Sequence, residues 1–275
     1  MRALVFVLVV TSAVLFLRGL ERWFPARSAD GAPIRTKLLA RDRLTDVAHV
    51  VFNGVVTKHV VQGLALAGFV AFVLVFRLPH DPARLTEAWH REARLAGLPI
   101  AVQAPLAIVF ADLVGYWAHR ALHHGWLWRL HAVHHSSRAL DFLAGARNHP
   151  VGEAFTTLVV GAAMLAVGFD PRVLAVAAPL RLYAILLHAN VSFGSSGLRY
   201  VVTTPLFHRW HHAHPDALPD GSKDGVNFAG LLPLWDLLFG TFHCPRGVQP
   251  PAFGTDAPVP PRFAGQLAFP FRRDG

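Results

Sequence analysis

The chain has 275 residues, of which 53% are hydrophobic and only 16% are charged, and this balance excludes an ordinary soluble domain. The formal net charge of +9 would suggest nucleic acid as a partner of a soluble protein, but most Lys and Arg residues lie beside apolar segments. We therefore attribute the excess of positive charge to the orientation of the protein in a membrane, and we expect no nucleic-acid partner. A single cysteine, Cys244, excludes an internal disulfide and a cysteine-held metal cluster.

Five apolar segments predict an all-α, polytopic membrane bundle of about four to six spans. They are residues 3–20, 47–76, 98–117, 154–168 and 172–190. We interpret the first as an uncleaved span, because no small-residue cleavage site follows it. The second is compatible with one long tilted helix or with a span that has an amphipathic start. The last two flank a Phe169-Asp170-Pro171 turn and predict a helical hairpin.

The positive charges predict how the bundle is oriented. If the N-terminus lies outside, 18 of the 26 Lys and Arg residues fall in segments 18–45, 119–150 and 191–275, whereas 6 fall on the opposite side. The positive-inside rule then makes these three segments cytoplasmic, and in a bacterium the membrane is the cell inner membrane. Residues 77–97 form a polar connection on the other side.

Histidines are concentrated in two short stretches, which together hold ten of the 17. The stretches are HRALHHGWLWRLHAVHH from His119 and HRWHHAH from His208. Spacings of three and four residues place side chains on one face of a helix, and neutral imidazole is the commonest protein ligand of transition metals. Eight histidines have these spacings, more than one four-coordinate metal needs, so we predict two metal ions. They are His119, His123, His131, His134, His135, His208, His211 and His212.

Other polar residues near these stretches have weaker signals. Asp112 lies on one helical stripe with His119 and His123, and a carboxylate in an apolar helix is costly to bury. We expect it to accept a hydrogen bond from the ring N–H of a ligating histidine, with a plain contact between helices as the alternative. His188, near the cytoplasmic end of the fifth segment, could complete a metal site. The isolated histidines His49, His59, His80, His90 and His243 are interpreted as structural or interfacial.

A series of motifs in fixed order resembles the fatty acid hydroxylase/sterol desaturase superfamily. The motifs are DLVGYWAHRALH from Asp112, LWRLHAVHHSS from Leu127, RNHP from Arg147, HAN from His188, TPLFHRWHH from Thr204, and NFA followed by LWDLLFGTF from Asn227 onward. The resemblance covers about Asp112 to Phe242 and implies a catalytic region 112–242, whereas hydropathy and composition predict a membrane-spanning region 1–111 before it and a Pro-rich tail 243–275 after it. Family members are integral membrane oxygenases that use O2 and external electrons to hydroxylate or desaturate lipids.

The resemblance also implies a cofactor and its ligands. Two iron ions would be held at the cytoplasmic face, although zinc can be present after purification. The implied ligands are His119, His123, His131, His134, His135, His188, His208, His211 and His212. His149 is implied as a ligand or a residue beside one, whereas His124 and His214 fall outside the core motifs.

The partners follow from the same resemblance. No segment resembles a fused cytochrome b5-like domain, so we expect electrons from a separate protein, such as a cytochrome b5-like protein or a ferredoxin. The expected substrate is a membrane lipid of the sterol, fatty acyl or related classes. A zinc-dependent membrane hydrolase and a metal transporter remain alternatives. The number of histidines argues against the hydrolase, and their position at one membrane face argues against the transporter.

Overall fold

The computed structural model describes the backbone of most of the chain. The described ranges are 2–28, 31–34, 40–75, 95–173, 178–193, 197–219 and 224–272, with positions 77, 81, 83, 84, 87, 93 and 222 between them. The polar connection predicted at 77–97, including His80 and His90, lies mostly outside the described residues.

Helices account for nearly all regular structure in the described residues. They are α1 (Arg2–Trp23), α2 (Ala40–Phe52), α3 (Lys58–Val75), α4 (Ile100–Leu122), α5 (Gly125–His135), α6 (Pro150–Val167), α7 (Ala178–His188), α8 (Pro205–His211), α9 (Leu234–Phe239) and α10 (Phe263–Ala268). Within these ranges β-structure is limited to isolated bridges. The predicted all-α class is confirmed.

Three helical segments are long and apolar enough to cross a bilayer: Arg43–Val75, Ile100–Leu122 and Pro150–Val167. Even the shortest, with 18 residues, reaches roughly 27 Å, close to the thickness of the hydrocarbon layer. Their outer surface is apolar, and residues such as Leu66 and Leu74 are 64% and 60% exposed. Because water disfavours such surfaces, these helices identify an integral membrane protein.

A π-helical turn joins α2 to α3. The turn spans Asn53–Thr57, and it makes the second predicted apolar stretch one long helix. The Asn53 side chain donates hydrogen bonds to the carbonyl oxygens of Ala146 (2.8 Å) and Asn148 (3.2 Å). The turn therefore directs a polar side chain out of an apolar helix and onto the loop before α6.

The histidine motifs lie at one end of the helical bundle, where several helices meet. α4 ends and α6 begins there. The end of α1 lies there too, as shown by the hydrogen bond from Asn190 N to the Glu21 carboxylate (3.0 Å). α2 begins there as well, since Asp46 forms a buried ion pair with Arg147 at 2.6 Å. The end of the bundle is thus held together by polar contacts, while the helix bodies are apolar.

Residues 172, 173 and 178–190 of the segment predicted at 172–190 are described, and α7 within it has 11 residues and reaches roughly 16 Å. Asp170 N donates to Gln103 Oε1 (2.9 Å) at the far end of the bundle, and His188 lies at the histidine end. The two ends of this segment therefore lie at opposite ends of the bundle, as a hairpin with α6 requires.

The Pro-rich tail packs on the histidine end of the bundle. The ring of Phe263 in α10 makes edge contacts with His49 and Phe52 of α2, at centroid distances of 4.8 and 5.3 Å. His49 Nε2 also shares a hydrogen bond with Gln266 Oε1 at 2.9 Å. The tail therefore covers the loops around the histidines although its sequence shows no periodicity.

The arrangement of helix ends predicts the sides of the membrane on which loops lie. Reporter fusions after Gly97 and after Gly275 are expected to lie on opposite sides, with Gly275 cytoplasmic, because the positive charges gather at the histidine end. A fusion after Gly168, which terminates α6 at the far end, should match Gly97. Paired phosphatase and fluorescent-protein reporters measure this. The same side for Gly97 and Gly275 would contradict the orientation.

Candidate metal centre

Nine histidines form two adjacent groups at one end of the bundle. Within each group, one ring nitrogen per residue lies within 4.8 Å of every other. The first histidine group is His119, His123, His131, His135 and His211, and the second histidine group is His134, His188, His208 and His212. These are the nine residues that the sequence motifs imply as ligands. They come from α4, α5, α7 and α8 and from the residues that directly follow α4 and α8.

The two His-x-x-His-His motifs each serve both groups. In α5, His131 and His135 are four residues apart and point into the first group, whereas His134 points into the second. The motif of α8 does the reverse, since His211 joins the first group while His208 and His212 form part of the second. Residues four apart share a helix face more closely than neighbouring residues do, so each motif divides between two adjacent sites.

The protonation of several rings is fixed by backbone carbonyls. The Nδ1 atoms of His119 and His211 lie 2.8 Å from the carbonyl oxygens of Phe228 and Val226, respectively. A carbonyl oxygen only accepts, so each Nδ1 carries the proton. In a neutral imidazole the Nε2 atom is then a bare acceptor, which is the form that binds a metal ion. The same pattern recurs in the second group.

Bare acceptors face each other in the second group. His134 Nδ1 donates to Arg147 O (3.2 Å) and His188 Nδ1 donates to Ala184 O (2.7 Å), yet their Nε2 atoms are 3.1 Å apart. Two lone pairs at this distance repel unless a cation lies between them. Two nitrogens that bind one metal at about 2.1 Å are separated by about 3.0–3.4 Å, so the spacing matches neighbouring ligands of one ion.

Ring nitrogens of the first group have the same spacing, and one of them forms no hydrogen bond with the described residues. The Nε2 atoms of His119 and His131 are 3.0 Å apart, and those of His135 and His211 are 3.1 Å apart. His123 Nε2 is buried and has no hydrogen-bond partner among the described residues. A buried polar atom without a partner is costly, so this nitrogen also fits a metal ligand.

Burial keeps the rings neutral. It lowers the pKa of His131, His134 and His135 well below the usual value for histidine, and the neighbouring imidazoles lower it further. The same cause lowers the pKa of His208 and His212. At neutral pH the lone pairs are therefore available, and neither group contains a described carboxylate. Such a set of imidazole nitrogens suits iron, zinc, copper or nickel.

A buried loop, residues 226–229, orients two ligands of the first group. It supplies the carbonyls of Val226 and Phe228 described above. The Asp236 carboxylate fixes the loop, because it accepts hydrogen bonds from Phe228 N (2.7 Å) and Ala229 N (2.9 Å). Asn227 has a positive φ of 59°, and its side-chain amide donates to the carbonyl oxygens of Phe207 and His243. The NFA motif thus contributes to the site by orienting histidine rings of the first group.

Asp112 has a different role from the expected hydrogen bond to a histidine. Its carboxylate accepts hydrogen bonds from Leu231 N (2.8 Å), Leu232 N (2.8 Å) and Trp235 Nε1 (2.9 Å). No described histidine contacts it. The burial of this carboxylate is compensated by three donors, and the residue fixes the loop before α9 to α4. Asp112 therefore corresponds more closely to the alternative, a polar contact between elements.

His149 lies outside both groups. Its Nδ1 atom accepts a hydrogen bond from Val151 N (3.2 Å) at the start of α6, and its Nε2 atom donates to Leu267 O (3.0 Å) in the tail. Both ring nitrogens are thus used, and we assign the residue a helix-capping role. His124 and His214 also lie outside the groups, as expected, and their rings are near Asp224 and Asp256 at 3.9 and 3.2 Å.

Sequence motifs could not show a close packing contact that involves Gly145. A methyl group at this position would lie 2.9 Å from His188 Nδ1, closer than side chains tolerate. The loop that precedes α6 therefore needs glycine so that the His188 ring can reach the second group. The only sequence signal for Gly145 is its position just before the RNHP motif.

Comparison with known proteins agrees with this geometry. A fatty acid hydroxylase family model matches residues 104–241. An ornithine lipid hydroxylase of Rhizobium tropici is 32% identical over 236 residues, which cover 85% of this chain and 67% of the relative. An alkylglycerol monooxygenase of Danio rerio is 34% identical over 139 residues, which cover 50% of this chain and only 30% of the relative. No solved structure is significantly similar to the chain.

The contact between Gly145 and His188 predicts a selective effect on metal binding. Gly145→Ala should displace the His188 ring and lower metal affinity of the second group by about 10–100-fold, the range seen when ligand orientation is disturbed. Gly161→Ala, in α6, is the matched control because a methyl group there meets no atom within 4 Å. Metal content after titration with a chelator measures the effect. Equal retention by both variants would contradict the packing argument.

Proposed function

The chain belongs to the fatty acid hydroxylase family, and on this premise we propose that it is an O2-dependent lipid hydroxylase or desaturase with two iron ions. The observation that carries the proposal is the division of nine histidines, most of them buried, into two adjacent groups. The relatives named above are a hydroxylase and a monooxygenase, which supports an oxidoreductase.

Each histidine group would hold one ion through its ring nitrogens. Iron bound there would supply the activation of O2 that oxidation of an unactivated C–H bond requires. The protein orients the ligands through the carbonyls of Val226, Phe228, Arg147 and Ala184. The Phe228 ring packs against His123 at 4.9 Å, and with the surrounding core it keeps water from that side of the site.

The ligand set favours oxidation over hydrolysis. Hydrolytic zinc sites use three protein ligands with an open position for water, and often a carboxylate base. Five and four imidazoles exceed that number, and no described carboxylate belongs to either group. We therefore prefer the oxygenase to the zinc hydrolase. The metal transporter is the least favoured alternative, because the histidines cluster at one end of the bundle.

The substrate and the electron donor are part of the same proposal. A membrane lipid is the substrate, and an amino-acid-containing lipid is the first class to test, since the relative aligned over 85% of the chain is an ornithine lipid hydroxylase. Electrons arrive from a separate redox protein, such as a ferredoxin or a cytochrome b5-like protein. The excess of Lys and Arg in the segments around the histidines supports a cytoplasmic position for that end of the bundle and favours an acidic donor.

Removal of one ligand from each group tests the metal assignment. His135→Ala and His212→Ala should each lower iron from about two ions per chain to about one or fewer and abolish activity, because each removes a ligand from a different group. His124→Ala and His214→Ala are matched controls, since these residues lie in the same two histidine-rich stretches but outside both groups. Elemental analysis of the purified protein measures iron. Full iron content in both ligand variants would refute the assignment.

Oxygen labelling separates the oxygenase from a hydrolase. In membranes supplied with a reductant and a redox protein, a hydroxylated lipid should carry label from 18O2 and none from labelled water. A desaturated product should carry no label while O2 is still consumed. Mass spectrometry of extracted lipids measures both. Turnover at an undiminished rate without oxygen, with label from water, would replace the oxygenase by a hydrolase.

A further inference from the structure

An exposed apolar surface, which we call the α9 surface, is formed by α9 and by the segment at residues 197–201. Its large apolar side chains are 40–67% exposed. They are Leu198, Val201, Leu234, Leu237, Leu238 and Phe239. In α9, spacings of three and four residues place the leucines on one outward face, while Trp235 and Asp236 are buried. Apolar patches of this kind mark contact with a membrane or with another protein.

Ring contacts and a hydrogen bond join the two segments and connect them to α4. The Phe239 ring lies 4.8 Å from the ring of Trp117 in α4. The Tyr200 ring stacks on Phe242, three residues after α9, at 5.2 Å. Thr203 N donates to a carbonyl oxygen of the loop before α9 at 2.8 Å. The exposed side chains therefore form one surface, and the rings of Trp117 and Tyr200 border it.

α9 is attached to α4 well inside the length of that helix. The anchor is Asp112, whose carboxylate accepts the hydrogen bonds from Leu231 N, Leu232 N and Trp235 Nε1 described above. About 20 consecutive residues cross the hydrocarbon layer, so any such stretch of the 23-residue helix includes Asp112. The start of α9 therefore lies beside the membrane-crossing part of α4 and not beyond its end.

The α9 surface also continues the lipid-facing side of α4. Val102, Leu106 and Val109 are 43–49% exposed and follow spacings of four and three residues. The stripe continues through Leu113, which packs against the core cluster beside α9, to the exposed ring of Trp117. The apolar side of α4 thus leads directly to the edge of the α9 surface.

The border of the surface has the composition of a membrane interface. The guanidinium of Arg120 lies 5.5 Å from the centre of the Trp117 ring, and that of Arg199 lies 4.7 Å from the centre of the Tyr200 ring. Trp and Tyr are enriched where acyl chains meet head groups, and arginine beside them extends its charge toward the polar side. This combination matches the boundary layer of a bilayer.

We propose that the α9 surface lies in the bilayer, at the boundary between head groups and acyl chains, as a membrane contact that does not span. Acyl chains cover its exposed side chains, which removes the apolar surface from water. A bilayer also accounts for the continuity with the lipid-facing stripe of α4. A second copy of the chain or a soluble partner would have to end its contact at that stripe.

This position brings lipid close to the first histidine group. The buried ring of Tyr116 lies 5.3 Å from that of Phe239 on one side and 6.0 Å from that of Phe228 on the other. The Phe228 ring packs on His123. Only two aromatic rings therefore lie along this path between the bilayer and a histidine of the group.

Fluorescence quenching on the full-length protein in phosphatidylcholine nanodiscs tests the position of the surface. Leu238→Cys and Val201→Cys, each combined with Cys244→Ala, place a bimane label on the α9 surface. Leu106→Cys is the matched control for the spanning face of α4. Val248→Cys is the control for water, because its aliphatic side chain is 49% exposed in the tail.

Two quenchers distinguish the environments, since nitroxide-labelled phosphatidylcholine reaches labels in the bilayer and iodide reaches labels in water. The lipid should quench the Leu238 and Val201 labels to within about twofold of the Leu106 label, while iodide quenches mainly the Val248 label. Iodide quenching of both surface labels equal to that of the Val248 label overturns the proposal. Protection of both from either quencher means that protein covers the surface, and this also overturns it.

Two label positions keep the test decisive. Val201 lies outside α9, so its label decides the outcome if the Leu238 variant misfolds, as judged by size-exclusion chromatography. The measurements need neither a metal ion nor turnover. Their outcome is therefore independent of whether the protein is an oxygenase.

Discussion

The rest of the structure depends on one electrostatic constraint, which is that acceptor nitrogens face each other inside the protein. His134 and His188 use their Nδ1 protons on backbone carbonyls and bring bare Nε2 atoms within 3.1 Å. Protonation would relieve this repulsion, but burial lowers the pKa of His134 well below the usual value for histidine and so disfavours it. A bound cation converts the repulsion into attraction. Folding therefore builds an unfavourable cluster that a metal ion stabilises, as expected for preformed metal sites.

The backbone orients the ligands more than side chains do. Four of the nine histidines donate Nδ1 protons to carbonyls, and two of these carbonyls belong to the loop at residues 226–229. That loop is held by Asp236, and the adjoining loop is held to α4 by Asp112. Both carboxylates are buried. The C-terminal motifs thus have a physical function, since they determine the tautomer of His211 and that of His119, which lies 109 residues before Phe228.

Hydropathy and helical spacing are local properties, and they predicted the membrane character, the all-α class and eight of the nine grouped histidines, whereas His188 followed from the family motifs. Sequence reasoning could not predict how the histidines divide between the two groups. His134 and His135 join different groups because of where α7 and α8 pack against α5, and this packing is not a local property of the sequence. The partners of Asp112 could not be foreseen either. Its stripe on α4 pointed toward the histidines, yet the loop at residues 231–232 supplies backbone donors from a distant part of the chain. The family resemblance implied His149 as a ligand or a residue beside one. Its ring instead donates a hydrogen bond to Leu267 O in the tail, and no pattern in the tail sequence predicts that contact.

The shared positions of the two groups imply that they work as one unit. His134 and His135 are adjacent in α5 and lie in different groups, and so do His211 and His212 at the end of α8. The rings of His135 and His212 also stack across the boundary at a centroid distance of 4.4 Å. A helix is rigid on this scale, so displacement of one group must move ligands of the other. If each group holds an ion, as we propose, the binding of one ion would preorganise the site of the second and couple the two affinities without any contact between the ions.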